Sequence, residues 1–268
     1  MQLFDNQLYD TGIEFRHVDG YPDTDQGCVM VIPGRYWHDR IAEVSEALQR
    51  YPWILAFRTG DEEDLLTIDK IVHPNIKWWI QTPRTDRFYR DARWFGVGWT
   101  PAFNTPVFTD RPLDVFLSAQ NTHKRRNQAF AALGDVDAVK VVAETQGFTQ
   151  GMDPDHYARH MLAAKIAPCP SGAISPDSFR LWEALQSHCV PIADNVSPDP
   201  TYYASGFWER MFPDVPFPRL DTYEQLPGYI EDQLAAWPAN ANRVAAWWMR
   251  EKRRMTLDLL DDLEALRA

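Results

Sequence analysis

Short apolar runs of strand length alternate with amphipathic helical stretches along most of this chain, and the alternation restarts after a proline-rich break. "CVMVIPG" (28–34) has the pattern of a buried strand. "WHDRIAEVSEALQRY" (37–51) follows, with Ile41, Val44, Ala47 and Leu48 at helical spacing. "WILAFRTGDEE" (53–63), "IKWWIQTPR" (76–84) and "RWFGVGW" (93–99) read as further strands. The stretch 100–112, with three prolines and no periodicity, reads as a linker. Strands over 113–120, 138–145, 165–170 and 190–195 then alternate with helices over 122–134, 154–164 and 175–188. In the last of these, Phe179, Trp182 and Leu185 are expected to face inward. From about residue 222 the pattern is helical, with 241–267 one long amphipathic stretch. Such a chain folds as layered α/β structure. The pattern places two α/β domains at 1–108 and 109–268, the second carrying the helical tail, and a ligand cleft between them is expected.

Composition narrows the function. The 268 residues carry a formal net charge of −11, a poor basis for non-specific nucleic-acid binding, which needs phosphate-neutralising cations. The 3 cysteines form no CxxC and no even framework, which fits a reducing, cytosolic setting. The first residues lack the basic and apolar regions of a secretory signal, and no stretch approaches the ~20 apolar residues that span a bilayer. A soluble cytoplasmic protein is the expectation. No G-x-S-x-G, P-loop or G-x-G-x-x-G occurs, so hydrolase, kinase and dehydrogenase readings lose support.

The most informative stretch is "PCPSGAISPDSFRLWEALQSHCVPIADN" (168–195). A turn-rich loop leads into a helix N-terminus, where unpaired N–H groups and the helix dipole favour an anion. Ser175 or Asp177 is placed to cap the helix, and Gly172 lets backbone approach a ligand closely. Arg180 in the first turn is disfavoured by the dipole unless it serves an anion, and Glu183 lies three residues on, on the same face. Two readings stand: a capped helix with an i,i+3 salt bridge, or a site that gives Arg180 to a phosphate and Glu183 to a ribose diol.

The same stretch resembles the signature of exostosin-type glycosyltransferases: a strand ending in P-x-G, a Ser-x-Arg-apolar-aromatic-Glu-Ala helix, then Pro-Val/Ile and an acidic or polar residue. Pro170, Gly172, Ser178, Arg180, Trp182, Glu183, Ala184, Pro191 and Ile192 match. Ser187 and His188 stand where the family usually carries a Gly. The resemblance implies a GT-B fold of two Rossmann-like domains facing across a cleft, the second binding a nucleotide-sugar. It implies an inverting, metal-independent transfer to a glycan, with no cofactor beyond the donor substrate.

On that reading Glu183 holds the donor ribose, and Arg180, Ser178 and Gly172 its diphosphate or sugar. Arg125 and Arg126 in "HKRRN" neutralise the leaving diphosphate. Asp61 and Glu62 in "GDEE" are the candidates for the general base. Tyr36, Trp37 and Arg84 are the acceptor-side candidates. Bland alternatives accompany each: a solvated basic face, an acidic helix start and a hydrophobic helix entry.

His156 and His160 are spaced i,i+4 but lack a third ligand at metal spacing, and three D-x-D triplets (23–25, 135–137, 153–155) read as chance matches in loops. No metal site is assigned. Two rivals remain. A transferase acting on a modified DNA base would gather Arg84, Arg87, Arg90 and Arg93 on one side of a helix and add the "REKRRM" run (250–255). A non-catalytic nucleotide- or glycan-binding module would keep Arg180 and Glu183 but need no base.

Overall fold

A computed structural model describes residues 10–13, 20–33, 40–60, 68–82, 92–104, 110–145, 151–198, 206–212 and 214–268. By contacts the chain divides into two compact units, one of Leu3–Gly96 with Lys252–Ala268, the other built on Val97–Glu251. Both are α/β and each holds one parallel sheet.

In the first unit β1 (Cys28–Pro33), β2 (Ile54–Thr59), β3 (Ile76–Gln81) and β4 (Ala92–Phe95) form a sheet in sequential order, every described pairing parallel. Strands covered on both faces read as near-continuous apolar runs, and β2 is buried along almost its whole length. Alternate residues face opposite layers. Met30, Ile32, Ile54, Ala56, Trp78 and Ile80 pack with Val44 and Leu48 of α1 (Ile41–Leu48). Phe57 turns to the other face and meets Trp79 and Phe95, at ring separations of 5.8 and 5.7 Å.

In the second unit the strands are β5 (Leu113–Gln120), β6 (Lys140–Thr145), β7 (Ala164–Cys169), β8 (Val190–Asp194) and β9 (Arg219–Leu220), in the order β6-β5-β7-β8-β9. Counted within the unit this is 2-1-3-4-5, a doubly wound order. On one face Val115, Leu117, Ile166 and Ile192 pack with Ala129 and Leu133 of α2 (Lys124–Gly134) and Leu226 and Ile230 of the later helix Leu226–Ala235. On the other face Phe116 meets Tyr157 and His160 of α3 (Pro154–Ala163), at 5.3 and 5.5 Å. α4 (Phe179–Gln186) packs with β7 and β8. A short helix, α5 (Phe207–Met211), precedes β9. Leu226–Ala235 is α6, and the last helix, α7, runs Ala239–Arg267. No helix among the described residues is long and apolar enough to cross a membrane.

The sequence pattern alone puts the division after residue 108 and assigns the whole tail to the second domain. The contacts divide the chain at Gly96/Val97 and at Glu251/Lys252. Two sets of polar contacts explain the difference. The Val97 amide donates to Asp177 Oδ2 (2.9 Å) and the Thr100 hydroxyl to Glu183 Oε1 (3.1 Å), so 97–100 belongs with α4. Late in α7, Asp262 accepts from Trp79 Nε1 (3.0 Å) and Arg93 Nε (2.8 Å), and Asp258 pairs with Arg93 at 2.9 Å. Those two aspartates fasten the last turns of α7 to β3 and β4.

Asp262→Ala leaves the buried Trp79 N–H without its acceptor and removes one of the Arg93 carboxylates. A loss of about 2 kcal/mol is expected for such a partly buried group. Amide hydrogen exchange along β3 and β4 should quicken accordingly, with little change along β5 and β7.

Candidate functional site

Open parallel sheets bind ligands outside the carboxyl ends of their strands, where the strand order reverses. In the second unit that point lies between β5 and β7. The chain leaves β5 through 121–123 into α2, and leaves β7 through 170–178 into α4. The described strands of the first sheet run in sequential order and have no such reversal.

Asp194, the last residue of β8, joins the loops at this end. Its carboxylate is 0% exposed. It accepts from Arg125 Nε at 2.7 and 2.9 Å, from the Tyr223 hydroxyl at 3.1 Å, and from the Ser171 and Val196 amides at 3.3 Å each. The Arg125 guanidinium also lies 5.2 Å from the centre of the Tyr223 ring. Arg125 is thus held by a carboxylate of its own unit. Its neighbour Arg126 donates from Nε to the Ser171 carbonyl (3.1 Å), and from Nη1 to the Gln120 carbonyl (3.3 Å) and the Thr122 hydroxyl (3.2 Å).

His123 caps α2 by position, and its Nε2 lies 3.3 Å from the same Ser171 carbonyl. A carbonyl can only accept, so Nε2 carries the proton. Burial, and then the charge of Arg126, pull the imidazole pKa down to about 4. The ring is neutral at pH 7.

The loop 170–178 is mostly buried, Gly172 included. The N-cap of α4 is Ser178 rather than Ser175 or Asp177, and it makes no side-chain cap bond. Ser175 Oγ instead accepts from the Asp177 amide (3.1 Å). The Asp177 carboxylate accepts from Trp182 Nε1 (2.6 Å) and the Val97 amide (2.9 Å). Burial pushes Asp177 up to about 7, while the indole and the Val97 and Ser178 amides hold it back. Trp182 and Leu185 are buried as expected, but Phe179 is 37% exposed. Phe179 is the first residue of the helix and precedes the turn that covers the sheet.

Arg180 and Glu183 go to different partners. Arg180 Nε donates to the Ser118 carbonyl at 2.9 Å. Glu183 is 4% exposed and bonds the Thr100 and Tyr157 hydroxyls. Burial raises its pKa; Tyr157, the Arg180 charge and Thr100 oppose that rise. Glu183 therefore lies in the interior of the unit. Asp61, Glu62, Tyr36, Trp37 and Arg84 lie outside the described residues.

The proposed arginine stripe is corrected. Arg93 belongs to strand β4, not to a helix shared with Arg84, Arg87 and Arg90, which lie outside the described residues, and it is bound to Asp258 and Asp262. In the 250–255 run, Arg254 pairs with Asp258 at 2.7 Å and Lys252 is half-buried. Asp153 of one D-x-D triplet caps α3, accepting from the Asp155 and His156 amides at 3.1 and 3.2 Å.

The sequence reading did not single out Asp194, His123, Asn195 or Tyr223. Asp194 had a signal, since an acidic residue closes the strand after Pro191 and Ile192. His123 opens the same "HKRRN" run whose arginines drew attention. Tyr223 sits about thirty residues beyond Asp194 and had none. No family model matches the chain, and no curated protein matches it.

Two outcomes check this geometry. Asp194→Asn weakens the Arg125 pair and turns an amide N–H₂ toward donors. Destabilisation of about 3 kcal/mol is expected in guanidinium denaturation. Asp177 acts in the opposite sense to a salt-bridged acid. Its folded pKa, about 7, exceeds the ordinary aspartate value of 3.8, so the folded state holds the proton more tightly and stability falls as pH rises between those values. Asp177→Asn removes that loss. Urea denaturation at pH 5 and pH 8 should show the variant nearer to wild type at pH 8.

Proposed function

We propose that the protein is a glycosyltransferase that moves a sugar from a nucleotide-sugar to an acceptor hydroxyl. In this reading the Val97–Glu251 unit binds the donor, and the Leu3–Gly96 unit is the acceptor-binding domain of a GT-B enzyme. One coincidence carries the reading. The segment that resembles the exostosin-type signature forms β7, the loop 170–178, α4 and β8, and so builds one wall of the strand-order reversal where open parallel sheets take ligands. The resemblance rests on residue types alone, whereas the strand order rests on topology, and the two support the same location.

The roles follow from chemistry. Ser178, Gly172 and Arg180 form the loop and first turn that would face the donor, with Arg126 across the reversal from them on α2. Cations and helix N-terminal amides stabilise a leaving diphosphate without a metal. Arg125 contributes mainly by holding the loops through Asp194. Glu183 would reach a ribose diol by exchanging its bond with Thr100 for one to the ligand. Transfer with inversion needs one base to take the acceptor proton, and Asp61 or Glu62 supplies it. The acceptor proposed is a glycan. The corrected placement of Arg93 removes support from a DNA acceptor.

A thermal-denaturation screen of UDP-, GDP-, CMP- and TDP-sugars tests the reading. A bound donor at 100-fold its Kd adds about 2.7 kcal/mol of apparent stability, so at least one nucleotide-sugar should raise Tm. With that donor and a glycan acceptor, Asp61→Asn or Glu62→Gln should abolish transfer while the Tm shift persists. Donor binding without transfer to any acceptor would favour the binding module, and failure of all four donor classes would remove the proposal.

A further inference from the structure

The carboxyl end of the second sheet holds a set of buried polar atoms with one shared property. Asn195 Nδ2 donates to Asp221 Oδ1 at 3.1 Å, and Asn121 Nδ2 donates to Glu144 Oε1 at 3.1 Å. A carboxylate only accepts, so each amide is oriented and its Oδ1 is left as the acceptor. His123 is oriented likewise: Nε2–H faces the Ser171 carbonyl, and Nδ1 offers a lone pair. Asn195 Oδ1, Asn121 Oδ1 and His123 Nδ1 are buried with no partner among the described residues, as are the hydroxyls of Ser171 and Ser178. Ser171, Ser178 and Asn195 are at most 8% exposed. Three of these residues are tied together: His123 bonds the Ser171 carbonyl, the Ser171 amide bonds Asp194, and Asn195 follows Asp194 in the chain.

Buried polar atoms left unbonded cost about 1–3 kcal/mol each. Every atom of this set is a fixed acceptor or a hydroxyl. A phosphate at neutral pH presents acceptor oxygens, which the serine hydroxyls can serve but which would face lone pairs at His123 Nδ1 and the two amide oxygens. A polyol presents O–H donors that match them. We infer that these acceptor atoms take the hydroxyls of a neutral sugar, which donate to His123 Nδ1 and Asn195 Oδ1, and that a phosphate does not bind at those two atoms. The neutral state of His123 agrees, since an imidazolium would offer a second donor. The inference rests on the donor-binding reading for the identity of the sugar's carrier, and adds which part of the donor lies against β5, β7 and β8.

The test uses full-length protein labelled with ¹⁵N-histidine, with His123 assigned from His123→Gln, and long-range ¹H–¹⁵N spectra at pH 7.5. The free protein should show the Nε2–H tautomer. UDP-glucose, GDP-mannose, UDP, GDP, inorganic phosphate, and free glucose, galactose, xylose and N-acetylglucosamine are then titrated. At least one sugar-bearing probe should move Nδ1 in the direction of hydrogen-bond acceptance, while UDP, GDP and phosphate leave it in place. His123→Ala should weaken that probe about tenfold, the worth of one hydrogen bond, without weakening the sugar-free diphosphate. An Nδ1–H tautomer, a response to phosphate or to UDP or GDP alone, or no response to any sugar overturns the inference. A nucleotide-sugar that raises Tm without moving Nδ1 overturns it and leaves the transferase reading standing. A free sugar that moves Nδ1 while every nucleotide-sugar fails supports it and removes that reading.

Discussion

A buried carboxylate at the end of a strand must be matched in charge and hydrogen bonds, and Asp194 is matched from several parts of the chain. Arg125 comes from the start of α2, the Ser171 amide from the loop after β7, and Tyr223 from beyond β9. A pair of this kind, broken from one side, costs more than most single core contacts because a charge is left in the interior. The loops after β5, β7 and β8 are therefore coupled. Their relative positions depend on one side chain that accepts from all of them, and the polar atoms of His123, Ser171 and Asn195 inherit their placement from it.

Two further acids stabilise the same region differently. Asp177 joins the loop before α4 to residue 97, and Glu183 joins α4 to Thr100 and Tyr157. Neither has a cation bonded to its carboxylate among the contacts described, and burial raises the pKa of both. They rely on neutral donors: three amides, an indole and two hydroxyls. At both acids burial disfavours the ionised form, and the bonds to neutral donors work against that.

Much of the fold was legible because the signal is local. Buried strands such as "WILAF" and "VPIAD" announce themselves by apolar runs, and α1, α2, α3 and α7 by helical spacing. The short β9 and the five-residue α5 were not legible. They are too brief for a periodicity to develop, and β9 forms because β8 offers an edge for pairing. Phe179 misled for a related reason: helical spacing put it with Trp182, but its place at the first position leaves it exposed. The Arg180/Glu183 spacing likewise says that the two share a helix face, and says nothing of Ser118 or Thr100, which decide where each side chain goes.

By itself, the sequence determined the α/β layering, the order of the longer strands and helices along the chain, and a loop-to-helix segment over 168–195. Only the tertiary structure decided the 2-1-3-4-5 strand order, the return of the end of α7 to the first unit, and the joining of Arg125 to Asp194. The physical reason is range. Period and propensity act over a few residues, so they can be read along a line. A strand order, or a carboxylate that accepts from residues 23 to 69 positions away, is set by which surfaces exclude water together, and no local pattern records that.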